Sequence, residues 1–251
     1  MRRIETIVVY KRRVDAEMRT VAIIQARIGA SRLPGKVLMP LCGKPMLWHV
    51  LMRLRCCRQL DDIIIATSTS TGDAEIVEFA KQHKVKIFRG SETDVLGRYI
   101  KAAEEAKADY VMRVTADSPL IEPGEIDSVI EFAITENAGF VMMKPGTSCV
   151  HEGFDMVHLD SLKKSYKAVD IEDFHKEHVI IYLKEHQDFV KTVYFEPLRI
   201  FQKEGYKISV DTIADFEFMH AMYEKFWDGR GIVDLKEVVK FVDSNPNLKV
   251  H

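Results

Sequence analysis

The sequence predicts an α/β fold in which a mainly parallel, mixed sheet lies between two layers of helices. Apolar runs rich in Ile and Val alternate with segments of helical periodicity from Val21 onward. That alternation is typical of strands joined by crossover helices. The runs are continuously apolar, which indicates strands covered on both faces. A chain of 251 residues suits one large domain of this class.

Each element is predicted from its own pattern. Five strands are expected in the first half, at 21–26, 62–68, 85–90, 110–117 and 139–144. Helices are expected at 45–56, 73–83, 93–107 and 123–136, with Pro45 and Pro123 in first turns, where a missing N–H costs little. The later pattern predicts strands at 154–159, 189–195 and 206–210, two helices within 160–186, and helices at 213–226 and 234–242.

Composition excludes several classes of protein. Lys and Arg number 36 against 38 Asp and Glu, a net charge of -2, so the broad basic surface of a non-specific nucleic-acid binder is not expected. No apolar run approaches the roughly 20 residues of a membrane span. The four cysteines form no CxxC pair, and two of them are adjacent, so we expect reduced thiols in a cytoplasmic protein.

Residues 1–17 carry basic residues on both sides of a short apolar run, a pattern that superficially resembles a signal peptide. The run is too short, and no small-residue cleavage site follows it. We interpret 1–17 as a dispensable extension, with Met18 as the natural start, and the alternative is an extra edge strand. Residues 18–251 are expected to form a single domain.

The loop after the first strand, residues 27–36, is the first candidate ligand site, because doubly wound sheets bind ligands at the carboxyl ends of their strands. Its cations and backbone N–H groups could surround a polyphosphate. Five residues separate its glycines and Val37 follows its lysine, so it is not a Walker A loop, and no GxGxxG is present. A solvated basic turn is the alternative. The loop contains Arg27, Gly29, Ser31, Arg32, Gly35 and Lys36.

Seven motifs in order resemble the sugar cytidylyltransferases, in particular the spore-coat polysaccharide biosynthesis protein F type. Wider relatives of that type are the 3-deoxy-manno-octulosonate and acylneuraminate cytidylyltransferases. Together the motifs span nearly all of the chain after Met18. They read QARIGASRLPGKVL, PLCGKPML, ATSTS, FRGSETDVLGRY, RVTADSPLI, KEHV and ISVDTIADFEF.

The resemblance implies a Rossmann-like three-layer αβα nucleotide-diphospho-sugar transferase fold. It implies transfer of CMP from CTP to an acidic sugar for surface glycan synthesis, with Mg²⁺ as the cofactor and pyrophosphate as the second product. A homodimer is expected, with residues 145–206 serving acceptor recognition and the dimer. The implied nucleotide site comprises Arg27, Arg32 and Lys36 at the triphosphate, Gln25 and Ala26 at the base, and Gly29, Ser31, Gly35 and Thr67.

Asp117 and Asp211 each follow a predicted strand, and the resemblance implies that both bind the metal ion. Mg²⁺ is usually held by one or two carboxylates together with phosphate oxygens and water. Asp117 could instead cap a turn before Pro119. Helix capping explains Thr212 and Asp215 without a ligand, but it does not explain Asp211.

The sequence predicts the residues that bind the acceptor less specifically than those that bind the nucleotide. Arg98, Glu177 and His178 are candidate substrate contacts, although Ser91, Thr93 and Asp94 also fit a helix cap beside Arg98. His175 and His178 could be drawn as a zinc site, but a solvated charged face is the favoured interpretation. Arg113 is interpreted as a buried structural ion pair. Glu152 and Asp155 resemble an acceptor-side segment, with a turn before a strand as the equal alternative.

Two positions depart from the family pattern, so the identity of the acceptor is predicted less securely than the nucleotide chemistry. Lys207 stands where Arg is common, and Ala116 stands where Gly is common. No dedicated general base is evident. The alternative functions are a sugar 1-phosphate nucleotidyltransferase that uses another NTP and a non-catalytic nucleotide-binding protein of the same fold.

Overall fold

The computed structural model describes residues 18–150, 153–245 and 248. The expectations for residues 1–17 and for Glu152 lie outside this range. Within it, seven strands form one sheet in the order β5-β4-β1-β6-β8-β7-β9. Strand β8 is antiparallel to both of its neighbours, and every other pairing in the sheet is parallel. The predicted mainly parallel, mixed sheet is therefore confirmed.

The strands of the large sheet are β1 (Thr20–Gln25), β4 (Asp62–Ser68), β5 (Lys86–Gly90), β6 (Tyr110–Thr115), β7 (Phe140–Met143), β8 (Phe154–His158) and β9 (Thr192–Phe195). A small hairpin pairs β2 (Pro40–Leu41) with β3 (Lys44–Pro45). The helices are α1 (Met46–Arg55), α2 (Ala74–Gln82), α3 (Val95–Glu105), α4 (Pro123–Thr135), α5 (Leu159–Tyr166), α6 (Asp173–His178), α7 (Ile181–Glu185), α8 (Ile213–Phe226) and α9 (Leu235–Asp243).

Alternate side chains of β1 enter two different cores, because successive residues of a strand point to opposite faces. Ala22 and Ile24 pack with α1, α2 and α4 on one face. Val21 and Ile23 pack with α3, α5 and the 179–183 segment on the other. A third apolar cluster joins α8 and α9 to the hairpin and the start of α1. The three-layer prediction is thus confirmed, with an additional C-terminal cluster beside it.

Three parts of the fold differ from prediction. The predicted strand at 206–210 is wrong, because the backbone there bonds to partners outside the sheet: the Val210 N–H donates to the Asp117 carbonyl at 2.8 Å, and the Val210 carbonyl accepts from Lys36. The region 160–186 contains three helices rather than two, since α6 ends at His178, just before Val179 at φ 58°. The short hairpin before α1 was not predicted.

Candidate active site

The site lies where β1 and β6 end side by side. Gln25, the last residue of β1, is in register with Thr115, the last residue of β6. The loop after β1 and the Asp117 segment therefore leave the sheet together. The hydrogen bond from the Val210 N–H to the Asp117 carbonyl then brings Asp211 to the same edge. Three segments that are far apart in sequence converge at one point.

Backbone hydrogen bonds close the loop after β1 before it reaches Lys36. The Gly35 N–H donates to the Ile28 carbonyl at 2.9 Å, and the Ile28 N–H donates to the Asp73 carboxylate at 2.8 Å. Gly35 has φ 72°, a left-handed conformation that glycine adopts readily, and a short 3₁₀ helix, Lys36–Leu38, begins at the next residue. This turn directs the Lys36 side chain back toward the sheet edge.

Lys36 contacts both candidate metal ligands. Its Nζ lies 2.6 Å from Asp117 Oδ2 and 3.0 Å from Asp211 Oδ1, and it donates to the Val210 carbonyl at 2.7 Å. Lys36 is only 8% exposed. The cationic loop and the two acidic motifs therefore meet in space, as the sequence predicted.

Asp211 is surrounded by three cations. Arg32 Nη2 lies 2.9 Å from Asp211 Oδ1, and Lys207 Nζ lies 3.1 Å from Asp211 Oδ2. Burial raises the pKa of the Asp211 carboxyl, but hydrogen bonds from Lys36 and Lys207 outweigh it, so the pKa is lowered overall. Asp211 is thus held as a carboxylate.

These groups line a first cavity of about 370 Å³ at the sheet edge. We call it the charged cavity. Its walls include eight of the predicted site residues: Gln25, Arg27, Ser31, Arg32, Lys36, Asp117, His178 and Asp211. The two candidate metal-binding aspartates and all three cations of the loop therefore line the same cavity.

Other predicted residues lie outside the charged cavity. Thr67 is buried, and its hydroxyl donates to Asp73 at 2.9 Å. It therefore positions the carboxylate that accepts from the Ile28 N–H in the loop. Arg98 is 2% exposed and donates to the Ser91 carbonyl. Glu177 does not line the cavity, although it lies 3.8 Å from Arg27. Ala26, Gly29 and Gly35 belong to the backbone framework of the loop. The predicted ligand contacts of these six residues remain predictions.

His175 and His178 do not come together as a zinc pair, which was the less favoured interpretation of this helix. The His175 side chain accepts from the Glu172 N–H at 2.9 Å and contacts Glu185 at 3.0 Å, whereas His178 faces the charged cavity. Within 18–150, 153–245 and 248, no group of three or more His, Cys, Asp and Glu side chains could hold a metal ion. Asp117 and Asp211 would therefore need oxygens from a bound ligand to complete a coordination shell.

A second cavity of about 780 Å³ lies on the other side of two ion pairs from the first. We call it the methionine cavity, because Met142, Met143 and Met156 line it together with Lys184, Lys203 and Lys207. Two ion pairs join the cavities. Arg113, on the charged side, lies 2.7 Å from Asp155, on the methionine side, which confirms the ion pair predicted for Arg113. Lys207 is on the methionine side and pairs with Asp211 on the charged side.

Sequence reasoning missed three groups. Asp73 links the end of β4 to the loop after β1, and the only signal was its position at the start of a predicted helix. Lys184 and Lys203 become neighbours of the site through tertiary packing, for which the sequence carries no local signal.

Residues 21–235 match the family described as cytidylyltransferase. The chain belongs to this cytidylyltransferase family. It is 35% identical to an uncharacterized protein of Methanocaldococcus jannaschii, over 92% of this chain and 93% of that one. It is 29% identical to the spore coat polysaccharide biosynthesis protein SpsF of Bacillus subtilis, over 90% and 94% of the two chains. The resemblance found in the motifs is confirmed.

Two further comparisons place this cytidylyltransferase among its relatives. An 8-amino-3,8-dideoxy-manno-octulosonate cytidylyltransferase of a Shewanella species is 33% identical over 54% of this chain and 56% of its own length. The solved structure of a cytidylyltransferase from Leptospira borgpetersenii superposes with a TM-score of 0.85, at 24% identity, over 94% of this chain and 98% of that one. The shared fold is therefore confirmed over almost the whole chain. No helix in the part of the chain that the structure describes is long and apolar enough to cross a membrane.

Proposed function

We propose that this cytidylyltransferase transfers CMP from CTP to an acidic sugar with release of pyrophosphate, in the synthesis of a surface glycan. The observation that carries the proposal is the meeting of Lys36 and Arg32 with Asp117 and Asp211 in one cavity. Cations there suit a triphosphate, and carboxylates suit a divalent ion that a phosphate also binds. The SpsF relative supports a polysaccharide pathway, and the octulosonate relative supports an acidic acceptor.

The charged cavity would bind the nucleotide. Arg27, Arg32 and Lys36 would neutralise the triphosphate, with Gln25 at the base. The Ala26 backbone, just outside the cavity lining, would also face the base. Because the loop brings these cations together before the nucleotide arrives, they would offset the charge that develops on pyrophosphate. Positioning and electrostatics supply most of the rate in phosphoryl-type transfers.

Asp117 and Asp211 would hold Mg²⁺. Their oxygens are the ligand type that Mg²⁺ prefers, and the two carboxylates leave coordination positions for phosphate oxygens and water. When bound, the ion would offset charge on the α-phosphate and lower the pKa of the acceptor hydroxyl. The acceptor oxygen would form the new bond to the α-phosphorus as the bond to pyrophosphate breaks. The hydroxyl proton would pass to solvent.

The methionine cavity would bind the acceptor. The Arg113–Asp155 and Lys207–Asp211 pairs link its wall to that of the charged cavity, so an acceptor bound there would lie beside the nucleotide. Three lysines and one aspartate line it, and each lysine pairs with a carboxylate, so an anionic ligand would take the place of an aspartate at one of these lysines. His178 lines the charged cavity and could contact the acceptor from the other side.

The test is to incubate the protein with each NTP, Mg²⁺ and a panel of acceptors while pyrophosphate is measured. We expect turnover with CTP and a sugar acid, and loss of turnover when EDTA removes the metal. Turnover only with sugar 1-phosphates would replace this proposal with the alternative transferase. CTP binding without turnover on any acceptor would indicate a non-catalytic protein. Light scattering would test the proposed homodimer, and cell fractionation would test the proposed cytoplasmic location.

A further inference from the structure

The Lys36 ammonium lies between the two aspartates that would hold a divalent ion. Its three acceptors, one from Asp117, one from Asp211 and the Val210 carbonyl, lie between 2.6 and 3.0 Å. An ammonium group has three N–H donors, so all of them are used. Lys36 cannot donate to a phosphate without releasing at least one of these oxygens.

A metal ion and this ammonium exclude one another. Both would draw on the Asp117 and Asp211 carboxylates, and two cations a few ångströms apart in a partly buried site repel strongly. Among the described residues, no third His, Cys, Asp or Glu side chain joins Asp117 and Asp211 in a group that could hold a metal ion. Without a nucleotide, the site therefore offers too few ligands for a metal ion to displace Lys36.

The carboxylates stay together without Lys36, because backbone contacts fix them. The Val210 N–H donates to the Asp117 carbonyl at 2.8 Å. Asp215 Oδ2 accepts from the N–H groups of Asp211 and Thr212, at 2.9 Å each. Removal of the Lys36 charge would leave two adjacent carboxylates that no longer share a counter-ion.

We propose that Lys36 is a place-holding cation that keeps divalent metal out of the site until a nucleotide is present. Triphosphate oxygens replace the carboxylates as acceptors for Lys36, and the carboxylates released in this way accept the metal that arrives with the nucleotide. The inference rests on the proposed function, because it needs a triphosphate that draws Lys36 away. Metal binding is thereby coupled to nucleotide binding, because Lys36 leaves the carboxylates when the triphosphate binds.

The test measures Mn²⁺ binding to nucleotide-free protein, by loss of the free-ion EPR signal. We expect weak binding by the wild type and at least about tenfold tighter binding by Lys36→Met, because the competing charge is gone. Lys36→Gln serves as a second variant, and circular dichroism checks the fold of each. In EDTA, calorimetry should show weaker CTP binding by both variants than by the wild type.

Two controls test whether loss of the Lys36 charge causes the tighter Mn²⁺ binding. Lys207→Met removes another cation that contacts Asp211 but not Asp117, so it should tighten Mn²⁺ binding much less. Lys36→Met combined with Asp211→Asn should abolish the gain. Tight Mn²⁺ binding by nucleotide-free wild type would overturn the inference, as would equal gains from Lys36→Met and Lys207→Met. The readout needs no turnover, so an absence of CMP transfer would defeat the proposed function and leave this inference standing.

Discussion

The two cavities differ in size and in what forms their walls. The charged cavity measures about 370 Å³, and its charged groups extend from the ends of strands and from one closed loop. The methionine cavity measures about 780 Å³ and is lined by flexible thioether side chains with lysines among them. Methionine adapts to irregular shapes, whereas fixed ion pairs do not. This difference agrees with the proposal that the triphosphate binds in the first cavity and the acceptor in the second.

The difference also concerns how each cavity is built. The charged cavity depends on the register between β1 and β6 and on one backbone hydrogen bond at Val210. The methionine cavity combines α4, β7 and β8 with Lys184 and residues 203–207. Substitutions in the first should therefore affect the chemistry directly, and substitutions in the second should affect the choice and affinity of the acceptor.

The largest effect is expected in the charged cavity. Asp117→Asn keeps the side-chain shape but removes the charge that the proposed Mg²⁺ would need, so we expect kcat to fall by about a thousandfold. Pyrophosphate release under saturating substrates measures this. Asp160→Asn, on the exposed surface of α5, is the matched control and should keep wild-type activity. A wild-type rate for Asp117→Asn would remove the metal role of this residue.

The sequence could predict the charged cavity because its groups stand at the ends of strands. Arg27 and Asp117 follow β1 and β6, and parallel strands bring their carboxyl ends to one edge. It could not predict that Lys36 would lie between both aspartates, since this depends on the Gly35 turn and on where Val210 docks. The methionine cavity was unpredictable for a similar reason: Lys184 and Lys203 approach β8 only through tertiary packing.

The second prediction concerns Asp215, which pairs with Lys207 at the junction between the two cavities. Burial raises the pKa of Asp215, but hydrogen bonds from Lys207 and from two backbone N–H groups lower it from 3.8 to about 2. A lowered carboxyl pKa stabilises the fold above pH ~4, and this contribution is lost as the pH falls toward ~2. Asp215→Asn should therefore cost about 2 kcal/mol of unfolding free energy at pH 7.

Urea unfolding of the wild type and of Asp215→Asn, at pH 7 and at several values between 4 and 2, measures this difference. The two proteins should converge as the pH approaches 2, because protonated Asp215 also lacks the charge. A constant difference across that range would mean that packing, rather than charge, accounts for the loss.

The third prediction separates nucleotide affinity from acceptor affinity. The Arg32 side chain is 66% exposed at the mouth of the charged cavity and pairs with Asp211. Arg32→Ala should raise the KM for CTP about tenfold and leave the KM for the acceptor unchanged, since it removes one partly screened contact to phosphate. Arg230→Ala, on an exposed turn, provides the control. An equal rise in both KM values would show that Arg32 serves both substrates.

The smallest effect is expected at the rim of the methionine cavity. The Lys184 side chain is 42% exposed and lies 3.3 Å from Asp155. Lys184→Met should raise the KM for the acceptor about threefold to fivefold and leave the KM for CTP unchanged, because a solvated charge contributes little and is screened by salt.

Steady-state kinetics at low and high salt measure this effect, and the difference between Lys184→Met and the wild type should shrink as the ionic strength rises. Lys163→Met is the matched control, because Lys163 is 35% exposed and pairs with Glu104, away from both cavities. If Lys184→Met instead raised the KM for CTP, the Arg113–Asp155 pair would transmit changes from one cavity to the other. The two cavities would then act as one site.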